Sequence, residues 1–135
     1  MRVALDTNVI LSRAVFASPV VTAVVEDICR NHVLILSTCV VDELREVVAR
    51  KWPERSRAVE EFLQALSYEI VLTPADVEQG LFGIRDPKDY PVLYSAMLAD
   101  ADVLVTGDKD FGDVEVSRPE ILAPGEYAGR YLAGT

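Results

Sequence analysis

Acidic residues follow two apolar segments at opposite ends of the chain: Asp6 closes Arg2-Val-Ala-Leu-Asp6, and Asp108 follows Val103-Leu-Val-Thr-Gly107. Short apolar runs rich in β-branched residues read as buried parallel strands, and ligands of open α/β sheets gather beyond the carboxyl ends of such strands. The two carboxylates are therefore expected in one cleft. At an effective dielectric of about 20 and a separation of about 5 Å they repel by roughly 3 kcal/mol, so the arrangement calls for a divalent cation between them. The expected chemistry is metal-dependent hydrolysis.

Further acids stand where they would join this cleft, each with a simpler alternative. Asp6-Thr-Asn8 directly follows the first apolar run and also suits an Asx turn or a helix cap. Glu43 falls beside Val40 and Val47 on a helical wheel, at the rim of an apolar stripe, whereas Asp42 and Glu46 turn toward solvent. A carboxylate at the edge of a buried face needs a cation or a donor, although a half-exposed helical glutamate is also common. Asp86-Pro-Lys-Asp89 has the pattern of a type I turn, and Asp89 suits both a helix cap and a ligand. Asp108 and Asp110 lie two residues apart in a turn opened by Gly107. An all-oxygen cluster of this kind suits Mg²⁺ or Mn²⁺.

Other chemistries lack their parts. With His32 the only histidine and two cysteines ten residues apart, no zinc pattern and no histidine-activated nucleophile is present. Neither a P-loop nor a glycine-rich dinucleotide loop occurs. Between Arg45 and Arg57, five basic residues (Arg45, Arg50, Lys51, Arg55, Arg57) face two acidic ones, a candidate contact for RNA or for an acidic partner.

The elements that must position these acids alternate. Strands are expected at residues 2 to 6, 33 to 36, 69 to 72 and 103 to 106, with a possible short edge strand at 114 to 116. Helices are expected from Ser18-Pro19 to about Asn31, from Ser37 or Thr38 through Val48, from about Glu54 to Leu66, and from Pro91 to about Asp100. A helical turn is expected at Pro74, loop at 80 to 88, and weak helix from Pro124 to Leu132, with the last three residues fraying. This order predicts an α/β fold: a three-layer α/β/α sandwich around a mainly parallel sheet of four to five strands, with residues 1–135 forming one domain.

Composition narrows the partners. Half of the 135 residues are hydrophobic, enough for one real core. The net charge of −9 repels nucleic acid at long range, so any RNA contact must be local or metal-borne. Cys29 and Cys39 are expected as buried small hydrophobes in a reducing compartment. No apolar run approaches the roughly 18 residues of a membrane span, and no signal peptide precedes Asp6, so a cytoplasmic location is expected.

Taken in order, Leu5-Asp-Thr-Asn-Val9, Val41-Asp-Glu-Leu44, Asp86-Pro-Lys-Asp89 and Leu104-Val-Thr-Gly-Asp-Lys-Asp-Phe111 resemble the PIN-domain family of metal-dependent ribonucleases, specifically the toxin components of bacterial toxin–antitoxin pairs. Pro119-Glu-Ile-Leu-Ala-Pro124 is similar to the strand and helix start that close these domains. The resemblance implies an acidic quartet of Asp6, Glu43, Asp89 and Asp108, with Asp110 and Asp86 as outer or second-metal ligands and with Thr106 and Asn8 orienting Asp6. It further implies Mg²⁺ or Mn²⁺, cleavage of single-stranded RNA, a homodimer, and inhibition by a small antitoxin protein. The Asp86/Asp89 doublet leaves the third ligand open. Two rival readings are a haloacid-dehalogenase-like phosphatase, whose second aspartate is replaced here by Asn8, and a non-catalytic RNA- or protein-binding module.

Overall fold

The computed structural model describes residues 1–132. Its framework is a five-stranded sheet in the order β3-β2-β1-β4-β5, with β1 at Arg2–Leu5, β2 at Val33–Ser37, β3 at Glu69–Val71, β4 at Val103–Val105 and β5 at Glu120–Leu122. All four pairings are parallel. The central strands are buried on both faces: Val3, Leu5, Leu104 and Val105 are at most 1% exposed, as expected of strands covered by helices on either side. The helices are α1 (Thr7–Ala14), α2 (Pro19–Asn31), α3 (Thr38–Lys51), α4 (Ser56–Ala65), α5 (Tyr90–Leu98) and the single turn α6 (Pro124–Tyr127). The α/β/α sandwich expected from the alternation is the fold observed.

The chain starts in the middle of the sheet, runs outward through β2 to β3, then crosses back and continues from β4 to β5. The reversal leaves a crevice between the carboxyl ends of β1 and β4, the position where open α/β sheets bind ligands. Asp6 begins there, its N–H donating to Val105 O at 3.0 Å, so the residue after β1 is still laddered to β4.

Local sequence sets the helix starts. Pro19 occupies the first turn of α2, although the Ser18 side chain makes no capping bond. Ser37 ends β2 and caps α3, its Oγ accepting from the Val40 N–H at 3.4 Å. Because α3 carries Glu43, this cap helps aim that carboxylate. Ser37→Ala should cost toward the lower end of the usual 0.5–2 kcal/mol for a lost cap, given the length of the bond. Denaturant titration that finds no loss would show that the helix start is fixed by packing alone.

The structure corrects several expectations. No helical turn forms at Pro74. Thr73 is instead held by its N–H to Thr38 Oγ1 at 2.9 Å and by its hydroxyl against Ser95 Oγ at 2.9 Å, which ties the chain leaving β3 to α3 and α5. Val114–Val116 is not a strand. The open side of β4 is taken by Glu120–Leu122 in register with Val103–Val105, and Arg118 pins the approach by pairing with Asp100 at 2.9 Å and Asp102 at 2.7 Å. Helix α5 stops at Leu98, and Asp100 turns the chain with φ of 60°, a left-handed conformation that aspartate tolerates better than most residues. Cys29 is exposed and Cys39 half-buried, so neither is the fully buried hydrophobe expected. The expected fraying of the last three residues lies outside the described residues. Among the described residues no single helix is long and apolar enough to cross a membrane.

Candidate active site

Asp6 sits at the head of the crevice and is only 4% exposed. Both its oxygens are engaged: Oδ1 accepts from the Thr7 N–H at 2.7 Å and Oδ2 from the Thr106 hydroxyl at 2.7 Å. Thr106 Oγ1 in turn accepts from the Asp108 N–H at 3.0 Å, so one threonine ties the ends of β1 and β4 together. Burial raises the Asp6 pKa, the two hydrogen bonds oppose that rise, and the charges of Glu43 and Asp108 add to it. Asn8, expected to help Thr106 orient Asp6, is exposed, and among the described residues it makes no hydrogen bond to Asp6. The backbone N–H of Thr7 takes that part, because α1 begins immediately after β1.

Asp108 follows β4 and folds back on its own loop, with Oδ1 accepting from the Asp110 N–H at 2.8 Å. Glu43 is exposed on α3, next to the buried Val40, Val41 and Leu44. Its place at the rim of the stripe is as the helical wheel predicts, and its charge is felt at Asp6.

The Asp86/Asp89 pair divides its tasks. Asp86 caps the turn Pro87–Asp89, its Oδ1 accepting from the Lys88 N–H at 3.0 Å. Asp89 stands at the start of α5 without making a capping bond, and its Oδ2 is buried with no hydrogen-bond partner. Burial pushes Asp89 up to about 7, reinforced by the charges of Asp108, Asp6 and Asp86. Among the described residues, Asp86, Asp89 and Asp110 each offer an oxygen within 4.8 Å of the others. Asp86, expected in an outer role, thus stands in one trio with Asp89 and Asp110, whereas both oxygens of Asp6 are already hydrogen-bonded.

The donors are all oxygens, several bear on one another's charge, and one buried carboxylate oxygen lacks a partner. That set fits a hard divalent cation. Arg85 was not anticipated from the sequence: it lies 3.7 Å from Asp110 and 2.7 Å from Asp113, bringing a positive charge to the rim of the cluster. A basic residue just before Asp-Pro was the only available signal for it.

The basic stretch from Arg45 to Arg57 is largely compensated. Arg45 forms a two-point pair with Glu60, Arg57 pairs with Glu61 at 3.2 Å, and Arg50 lies 4.0 Å from Glu46. Lys51 lies over the Trp52 ring, and Arg55 is exposed. The excess of positive charge read from residues 45 to 57 falls from +3 to +1 because the next helical turn, just outside that window, supplies Glu60 and Glu61.

Protonation of Asp89 has a measurable consequence. Its folded pKa of about 7 lies above the ordinary 3.8, so between roughly pH 4 and 7 the folded protein holds a proton that the unfolded chain releases. Stability in the presence of chelator should therefore fall as pH rises through that window and level off above it. Denaturant melts at pH 5 and pH 8 should show a smaller difference for Asp89→Asn than for wild type. Equal differences would mean that Asp89 is not held protonated.

Comparison with known proteins places the fold and the family. A comparison with curated proteins found no significant match. Among solved structures, a chain of VapBC2 from Rickettsia felis, determined bound to a DNA fragment from their promoter, superposes with a TM-score of 0.68 at 22% identity, covering 90% of this chain and 97% of that one. At that identity the likeness speaks for the fold. The family model for the PIN domain matches residues 2–110, a span that runs from β1 through Asp6, Glu43, Asp86, Asp89 and Asp108 to Asp110, and the chain therefore belongs to the PIN domain family.

Proposed function

We propose that this protein is a metal-dependent endoribonuclease that hydrolyses phosphodiester bonds of single-stranded RNA, and that it is the toxin of a toxin–antitoxin pair. The family is one of nucleases. The observation that carries the reading is that the charges of Glu43 and Asp108 bear on Asp6 and those of Asp108 and Asp6 on Asp89, whose Oδ2 is buried without a hydrogen-bond partner. In this reading Asp6, Glu43, Asp89, Asp108 and Asp110 hold Mg²⁺ or Mn²⁺. Asp89 is favoured over Asp86 as the third ligand, because its Oδ2 is buried without a hydrogen-bond partner.

A bound divalent ion supplies an activated water and offsets charge on the leaving oxygen. The chain's own residues prepare for that. Thr7 and Thr106 fix both oxygens of Asp6 in advance, so its orientation costs nothing on binding. Asp89 must lose its proton to act as a ligand, so ion binding releases that proton and strengthens as pH rises. Asp108 is held by the Asp110 N–H and bears directly on Asp89.

The partners follow the same reading. The similar chain of known structure is part of VapBC2 on promoter DNA. A net charge of −9 suits this chain to a basic antitoxin better than to DNA. Exposed Ile70 and Leu72 at the open edge of the sheet support a homodimer. A single domain of residues 1–135 working in the cytoplasm completes the proposal. As for the basic residues, Arg55 and Lys51 remain better candidates for RNA or partner contact than Arg45, Arg50 and Arg57, which are paired.

The test is direct. Protein freed of any bound partner should cut single-stranded RNA from a diverse pool in Mg²⁺ or Mn²⁺ and leave it intact in chelator. RNA that survives in both would sink the nuclease reading in favour of a binding module.

A further inference from the structure

We propose that the cavity of about 360 Å³ between the 77–84 loop and the start of α5 is a nucleobase subsite, in which one unpaired base of the RNA stacks beside the scissile phosphate. This rests on the ribonuclease reading above. The cavity adjoins the acidic cleft through the chain itself: its lining includes Pro87, which follows Asp86, and Tyr90, which follows Asp89. Yet none of its lining side chains is charged. A neutral chamber next to a cluster of carboxylates repels phosphate less than the cleft around it and accepts a flat, uncharged ring.

Its walls are aromatic and already ordered. The Phe82 ring stacks on Tyr90 with centroids 4.2 Å apart and planes 16° from parallel, and Tyr94 continues the series at 6.2 Å. The buried Tyr90 hydroxyl donates to Glu78 O and accepts from the Leu81 N–H at 3.3 Å, locking the loop onto α5. Two glycines leave the space open. At neither Gly80 nor Gly83 would a Cβ meet any heavy atom within 4 Å, so the room beside them is not filled by the protein. Gln79 makes only a long 3.5 Å bond to Val77 O, which leaves its amide able to read the edge of a base.

The charge of the whole protein explains why such a subsite is needed. An RNA-binding protein normally draws its affinity from phosphate contacts, and a net charge of −9 weakens that source. Stacking on aromatic side chains does not depend on net charge and tolerates any base.

The test uses the chain of residues 1–135 and a non-cleavable 2′-O-methyl oligonucleotide carrying 2-aminopurine, whose fluorescence is quenched on stacking, in Mg²⁺. Wild type should bind and quench. Gly83→Val, whose backbone is not left-handed and whose Cβ would meet no heavy atom within 4 Å, should narrow the cavity and weaken binding roughly 5- to 150-fold, with an unchanged melting temperature as the check on folding. Phe82→Ala should weaken it comparably, and Gln79→Ala should change which base is preferred. Quenching and affinity unchanged in Gly83→Val, or no quenching by wild type, would overturn the subsite. Because the probe cannot be cut, a protein that quenches normally but cleaves no RNA would end the nuclease reading while upholding base binding.

Discussion

Asp6→Asn protein should cleave RNA at least about 100-fold more slowly than wild type while remaining folded. Removing a residue that merely supports a metal ligand costs about 10- to 100-fold in affinity or activity, and losing the charge of a ligand itself should exceed that. Asparagine keeps the shape of the side chain and one oxygen, which can still accept from the Thr7 N–H. Its amide group would face the Thr106 hydroxyl, which can rotate to accept instead of donate. One acid fewer also relieves repulsion with Glu43 and Asp108. Circular dichroism and melting should therefore match wild type or improve in chelator. Glu26→Gln, an exposed change on α2, is the control and should retain full activity. Cleavage by Asp6→Asn at the wild-type rate would remove Asp6 from the site.

The second large effect is on stability. With free Mg²⁺ or Mn²⁺ at about 100 times its dissociation constant, linkage adds roughly 2.7 kcal/mol to folding. For a domain of this size that is a rise of about 8–15 °C in melting temperature. The physical source is the relief of several carboxylates that crowd one another, of which Asp89 is the most perturbed, its pKa pushed up to about 7. The Asp6→Asn, Asp108→Asn double variant should lose most of the shift. Equal shifts in wild type and double variant would place the ion elsewhere, with the Asp86, Asp89 and Asp110 trio as the first place to look.

The fold and the approximate cleft were legible in the sequence for a simple reason. Buried parallel strands leave continuous apolar runs, and an acid directly after such a run has one place to go. The strand ends that carry Asp6 and Asp108 were therefore legible. The division between Asp86 and Asp89 did not, since spacing alone cannot tell which of two carboxylates satisfies a helix start and which is left over. Asn8 misled because a side chain two positions past a strand competes with a backbone N–H that is nearer. The closing strand at Glu120–Leu122 is too short for periodicity to favour it over Val114–Val116, and only the family resemblance pointed to Pro119–Pro124. The charge excess at Arg45–Arg57 failed for a geometric reason: Arg45 reaches its partner Glu60 on α4, fifteen residues away.

The placement of β1 at the centre of the sheet also fixes when a molecule can act. Asp6 is made first and Asp108 more than a hundred residues later, and the N–H of Asp6 is hydrogen-bonded to the last residue of β4. At about 5–20 residues per second, a chain leaving the ribosome carries its first carboxylate for roughly 5–20 seconds with no opposite wall. Throughout that interval the crevice has only one of its two walls, so whatever chemistry it performs can begin only after β4 has been made and paired with β1.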